Sequence, residues 1–174
     1  MRTVACRTIA LLFLGVLAAG CREPAPVGPA ARPGQADLAG AWRGRVQFSD
    51  GALAAVKDLE FMYVFNAGGT MTESSHYDGA PPVPPAYGLW RRTGPGAFEA
   101  HYEFYTTKAP AGFAEIAGGG GWLPAGHGVL VERITLAADG RSFTSTIAYT
   151  AFDAAGKPAA GGGEGKVSGV RIGP

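Results

Sequence analysis

Two glutamates, Glu73 and Glu132, are the side chains of this chain with types and settings that suit acid–base or ligand-binding chemistry. Each lies in a segment of β-type composition, where successive side chains point to opposite faces of a strand. A carboxyl group that points into a small apolar interior has a raised pKa unless it is partnered, and such groups mark binding or acid–base sites. The face that each glutamate occupies therefore decides whether it can do chemistry.

The local sequence leaves both faces open for each glutamate. Glu73 lies in the polar stretch 72–75, where either alternate set of side chains could point inward, and we expect Glu73 on the exterior. Glu132 alternates with apolar residues such as Leu130 and Ile134, which makes it the better inward candidate. We nevertheless slightly favour a position for Glu132 near the end of its strand, where its charge would reach water.

The three histidines give no metal site. His76, His101 and His127 fall in different segments without metal-ligand spacing, and His101 alternates with Glu99 and Glu103 as part of an exterior strip. The chain also has no GxSxG elbow, P-loop or HExxH motif. We therefore predict no metal, no cofactor and no serine or metal hydrolase chemistry.

The elements that position these side chains are predicted to be strands. Turn signals rich in Gly, Asn and Asp separate segments that contain no proline. No stretch after the N-terminal region has a helical apolar stripe, so the fold class is all-β: a single eight-stranded antiparallel up-and-down barrel, with a sandwich as the alternative. The predicted strands are 41–49, 56–66, 70–76, 87–93, 97–107, 128–138, 142–152 and 165–172.

Alternation with period two indicates which side chains face the interior. Leu59, Phe61, Tyr63 and Phe65 share one face, as do Phe98, Ala100, Tyr102 and Phe104. An eight-stranded barrel has room for side chains or for one small ligand. The candidate ligand-binding residues of the barrel are Phe61, Trp90, Tyr102, Tyr149, Glu73 and Glu132.

The segment 108–127 is a long connection with its own functional interpretation. Gly118 to Gly121 would form a hinge, and Trp122 and Leu123 behind it would form the apolar tip of a lid over the barrel mouth. A loop near 20 residues without secondary structure is uncommon in a compact domain and often functional. A structureless excursion is the equally weighted alternative.

The N-terminal region has the layout of an export signal. Residues 1–20 combine Arg2 and Arg7 with an apolar run too short to span a bilayer. Ala-Ala-Gly followed by Cys21 resembles the lipobox of bacterial lipoproteins, which implies lipidation of Cys21 and attachment to a bilayer. Residues 21–38 are rich in Pro and Ala and are predicted to be a disordered tether, and 39–174 the barrel domain.

Two further motifs carry a family resemblance. Gly40-Ala41-Trp42 is similar to the GxW signature of lipocalins, which implies that Trp42 plugs one barrel end with Arg171 over its indole. The segments 68–75, 88–94, 134–136 and 152–156 resemble a pattern in uncharacterised bacterial lipocalin-like, calycin-like β-barrel lipoproteins. That resemblance implies an architecture and no defined activity.

Charge and composition limit the partners. With 15 Lys and Arg against 14 Asp and Glu, the chain lacks the basic footprint of a nucleic-acid-binding protein. We predict an exported lipoprotein, on the periplasmic face of the outer membrane because Arg22 and not Asp follows Cys21. It would bind a small apolar or amphipathic ligand in or at the mouth of the barrel. The alternatives are a barrel-type isomerase or cyclase, and an envelope interaction module without a small ligand.

Overall fold

The computed structural model describes residues 36–77 and 84–173. In this part each strand pairs antiparallel with the next in sequence, and β1 closes the barrel against β8. The predicted eight-stranded up-and-down barrel is confirmed, and the sandwich alternative is wrong. The strands are β1 Gly40–Phe48, β2 Glu60–Phe65, β3 Thr70–Ser75, β4 Ala86–Gly94, β5 Ala97–Lys108, β6 Leu123–Leu136, β7 Ser142–Asp153 and β8 Pro158–Arg171.

Residues 1–20, Cys21 and most of the tether lie outside the described residues, so the predictions about export and lipidation stay predictions. Leu38, which the sequence assigned to the end of the tether, is fully buried against the barrel.

Two strands begin earlier than the sequence predicted. β6 starts at Leu123 and β8 at Pro158, because Gly- and Ala-rich segments without any apolar alternation pair with the long strands β5 and β7. Both strands therefore contain a proline, against expectation, and in β8 it is the first residue, Pro158. Pro124 is tolerated because it lies opposite Thr107, where the β5–β6 register shifts and ladder bonding is already interrupted.

The connection between β5 and β6 is correspondingly shorter and not structureless. It carries a one-turn helix, α1 Phe113–Ala117, whose residues are all exposed, so the predicted 108–127 loop without secondary structure is wrong. Among the described residues, no helix is long and apolar enough to cross a membrane.

The interior follows the predicted alternation. Leu59, Phe61, Tyr63 and Phe65 are all buried, and the residues between them along β2 are partly or largely exposed. The same holds for Phe98, Ala100 and Tyr102 on β5, so one face of each strand forms the core, as expected for a closed barrel.

The two ends of the barrel differ, and the closed end is built around Trp42. Short turns join β2 to β3, β4 to β5 and β6 to β7 at this end. Trp42 is fully buried, donates its indole N–H to the Leu38 carbonyl at 2.8 Å and packs edge-on to Phe143. The guanidinium of Arg171 lies 4.2 Å from the indole centroid, the stacking that the sequence predicted.

Gly40 makes the approach of Arg171 possible. Its φ of 135° lies in a region that other residues rarely adopt, and a side chain at this position would collide with the Arg171 guanidinium. Arg171, at the end of β8, donates hydrogen bonds to the carbonyls of Asp37 and Ala39 before β1 and of Gly140 in the turn between β6 and β7. It therefore links the two ends of the barrel chain to that turn.

Candidate functional site

A cavity of about 280 Å³ occupies the end of the barrel opposite Trp42, where the longer connections lie. Its volume is near the lower end of the range for small-molecule pockets. The apolar part of its wall comes from inward positions of several strands and from the connection between β1 and β2: Leu53, Leu59, Phe61, Phe104, Leu130 and Tyr149. Glu73, Ser75, Thr106 and Thr107 supply polar groups.

An aromatic wall on one side of the cavity depends on a glycine. The rings of Phe104 and Tyr149 stack with centroids 5.8 Å apart. Gly128 lies between them on β6, and a Cβ there would come within 2.7 Å of the Tyr149 ring and would also collide with Phe104. The glycine therefore lets two aromatic side chains from strands on either side of β6 meet over it.

Glu73 faces this cavity from β3, so the predicted exterior position is wrong. Met71, Glu73 and Ser75 form the inward set, and Glu73 is only 5% exposed. Its Oε1 atom is buried without a hydrogen-bond partner. Burial raises the pKa of Glu73 to about 8, with a further contribution from the charge of Glu132.

Glu132 lies one inward position deeper than Leu130 and is fully buried, so the expected placement near a strand end is also wrong. Its carboxylate accepts hydrogen bonds from the Tyr102 hydroxyl at 2.9 Å and from the Ser145 hydroxyl at 2.5 Å. Burial raises the pKa of Glu132 to about 7, although these two hydrogen bonds act in the opposite direction. The Glu132 carboxyl group is thus fixed by two hydrogen bonds, whereas Oε1 of Glu73 has no hydrogen-bond partner.

Two tyrosines join Glu73, Glu132 and Ser145 in what we call the polar layer of the barrel interior. Tyr63 pairs with Glu73 across the β2–β3 ladder, and Tyr102 lies on β5 with its ring 6.4 Å from that of Tyr63. Burial raises the pKa of both tyrosines well above the usual value. The Tyr63 hydroxyl is close enough to Glu132 to influence its pKa, yet it forms no hydrogen bond of acceptable geometry.

Some predicted site residues lie at the cavity and others do not. Phe61, Tyr149 and Glu73 line it, and Tyr102 and Glu132 lie in the polar layer beneath. Trp90 points inward as predicted but does not line the cavity, because it packs at the closed end against Phe65 and Phe98.

The predicted lid tip does not contact the cavity. Leu123 is 55% exposed at the start of β6, and neither it nor the half-buried Trp122 belongs to the cavity lining. Leu123 is the first residue of β6 and pairs with Lys108 of β5, and Trp122 directly precedes it. The four glycines before these two residues therefore do not place an aromatic side chain over the mouth.

Tyr63 and Ser145 are functional candidates that the sequence reasoning missed. Tyr63 was identified only as an inward aromatic. Ser145 alternates with the buried Phe143 and Ile147 on β7, and that period-two signal predicts an inward hydroxyl.

The exterior position predicted for His101 is confirmed. His101 is on the barrel exterior, 3.5 Å from Glu103, and His127 stacks on Phe152. Within residues 36–77 and 84–173, no group of three or more His, Cys, Asp or Glu side chains is arranged to hold a metal ion.

No family model, curated protein or solved structure matches this chain.

Proposed function

We propose that this protein binds a small amphipathic molecule in the open end of its barrel. The observation that supports this proposal is the combination of a largely apolar cavity with a buried, unpartnered carboxyl group on its wall at Glu73. An unpartnered buried polar group costs free energy, and a ligand that supplies the missing hydrogen-bond partner recovers that cost. The apolar part of the ligand would lie against the Phe104–Tyr149 wall.

The binding proposal is tested with the neutral apolar probe N-phenyl-1-naphthylamine, whose fluorescence rises in an apolar site. We expect saturable binding to the wild type and an approximately fivefold to tenfold weaker affinity for Tyr149→Ala, because an aromatic contact is worth about 1 kcal/mol. The matched control is Tyr87→Ala, which removes a tyrosine that is 63% exposed on the outer wall. No saturable binding, or equal weakening by both substitutions, would contradict the proposal.

A second candidate function is catalysis of an isomerisation or cyclisation, of the kind performed by allene oxide cyclase-type barrels. It is favoured by the convergence of Glu73, Glu132, Tyr63, Tyr102 and Ser145 in one layer. A free carboxyl group with a pKa near neutrality is suited to take up or deliver a proton. Recovery of a bound ligand unchanged would support binding alone, whereas a rearranged product would support catalysis; a barrel that binds nothing would favour an interaction module.

We also propose that the barrel is a lipocalin-like lipoprotein of the bacterial envelope, exported by residues 1–20 and anchored through Cys21. Gly40, Trp42 and Arg171 support the lipocalin-like part by their mutual packing. The chain enters the barrel at the closed end, next to Leu38, so a tether over 21–38 would leave the cavity mouth at the opposite end. Palmitate labelling of wild type and of Cys21→Ser, followed by membrane fractionation, tests the anchor: label and outer-membrane recovery are expected for wild type alone.

A further inference from the structure

The charged groups of the barrel interior are segregated along its axis. The inward arginines, Arg92 and Arg171, lie at the closed end, where Arg92 pairs with Asp37 at 3.4 Å and covers Phe98, and Arg171 covers Trp42. The two inward carboxyl groups, Glu73 and Glu132, lie on the side of the open end. Neither arginine is therefore a counter-ion for either glutamate.

The cavity itself has an acidic group and no basic one. Among the described residues that line it there is no Lys, Arg or His, and Glu73 is the one carboxyl group. The titratable groups that face Glu73 from the packed strands are Tyr63 on β2, Tyr102 on β5 and Glu132 on β6, and its β4 neighbour is Ala86. None of these groups can supply a positive charge.

We propose, on the basis of the binding function proposed above, that the ligand is an organic amine whose ammonium group pairs with Glu73 and whose apolar part fills the cavity. An ammonium group offers hydrogen-bond donors to the unpartnered Oε1 atom and neutralises a carboxylate that has no counter-ion. Phe61, Phe104 and Tyr149, which line the same cavity, supply aromatic surface for the apolar part of the amine. A fatty acid would instead bring a second negative charge next to Glu73 and Glu132.

The protonation states agree with this pairing. A primary ammonium group of the lysine type has a pKa of about 10.4, above the pKa of about 8 of Glu73 in the empty cavity. An ammonium group next to Glu73 also favours the carboxylate form, so the expected form of the complex is ammonium with carboxylate. Binding of the charged amine near pH 7 displaces the carboxyl proton from Glu73 to the solvent, so close to one proton is released for each amine bound.

Three probes with the same chain and different end groups test the proposal: octylamine, octanol and octanoate, titrated calorimetrically at pH 7 into the full-length protein. We expect octylamine to bind at least tenfold more tightly than octanol, and octanoate to bind most weakly. Titrations in buffers of different ionisation enthalpy should show proton release with octylamine and none with octanol.

Glu73→Gln, which keeps the shape of the side chain, should weaken octylamine binding at least tenfold, leave octanol within about threefold and abolish proton release. The control is Glu103→Gln, which removes a carboxyl group that is 56% exposed on the outer wall and should change nothing. Unchanged urea unfolding midpoints for Glu103→Gln, and an unchanged or raised midpoint for Glu73→Gln, verify that the variants fold.

The outcomes separate the two proposals. Binding of octanol or octanoate as tightly as octylamine, or amine binding that Glu73→Gln leaves intact, would overturn the amine proposal and leave the cavity-binding function standing. If none of the three probes binds to wild type, the proposed function itself fails, and the amine proposal fails with it.

Discussion

The free energy of unfolding should fall as the pH rises from about 4.5 to about 8. Both buried glutamates have a higher pKa in the folded protein than in the unfolded chain, where the usual value is 4.5: about 8 for Glu73 and about 7 for Glu132. In this window the folded state binds more protons than the unfolded state, so raising the pH favours unfolding. The stability is fully present below about pH 4.5 and is lost progressively up to about pH 8.

The loss should be large because each pKa unit corresponds to about 1.36 kcal/mol. From the shift of Glu73 alone, from 4.5 to about 8, we expect a loss on the order of 3 to 5 kcal/mol across the window. Urea unfolding at a series of pH values measures it. In Glu73→Gln the part of this pH dependence that comes from Glu73 should disappear and the smaller part that comes from Glu132, with its pKa of about 7, should remain, whereas Glu103→Gln should behave as wild type. A wild-type stability that is flat or that rises between pH 5 and pH 8 would be incompatible with two interior carboxyl groups that have no counter-ion.

Trp42→Ala should destabilise the barrel by about 3 to 5 kcal/mol, the usual cost of truncating a large buried aromatic residue. The side chain is fully buried, and its loss removes the hydrogen bond to the Leu38 carbonyl, the edge contact with Phe143 and the surface on which Arg171 stacks. A domain of this size should then melt on the order of 10 °C lower.

The matched control for Trp42 is Leu89→Ala, which truncates an apolar side chain that is 65% exposed on β4. It should change the free energy of unfolding by less than about 0.5 kcal/mol. A melting temperature for Trp42→Ala within about two degrees of wild type would mean that the closed end does not depend on the indole.

The barrel could be predicted from the sequence because its longer strands alternate clearly. From Leu59, just before β2, to Phe65 at its end, every second residue is large and apolar, and that pattern requires one buried face. The Gly- and Ala-rich starts of β6 and β8 carry no such signal. These segments form strands because the ends of β5 and β7 supply backbone groups with which they pair. Their conformation is therefore set by tertiary contacts and not by the local sequence.

The position of Glu73 is the main point on which the structure differs from the sequence prediction, which placed this side chain on the exterior. β3 is polar on both sides, and its one large apolar side chain, Met71, shares the face of Glu73. That single residue is a weak signal in a strand with four hydroxyl-bearing residues, and the register against β2, which pairs Tyr63 with Glu73, determines the face. Register depends on the whole barrel and cannot be derived from six residues.

Depth along the barrel axis is the second quantity that alternation leaves undetermined. Trp90 and Tyr149 both point inward, yet Trp90 packs at the closed end and Tyr149 lines the cavity. Period two assigns a face to each residue but no height, because height follows from strand stagger around the closed barrel. The sequence could therefore predict a set of inward residues and a pocket in or at the barrel mouth, but not which of the inward residues line that pocket.

Methyl NMR of the full-length protein during titration with N-phenyl-1-naphthylamine tests the central claim most directly, since an aromatic probe shifts the signals of the methyl groups that it touches. We predict large shifts for Leu53, Leu59 and Leu130, which line the cavity. Val64, Leu89 and Val170, on the outer wall, should be unaffected. Shifts confined to the outer-wall methyl groups, with the three cavity leucines unchanged, would contradict a ligand site inside the barrel.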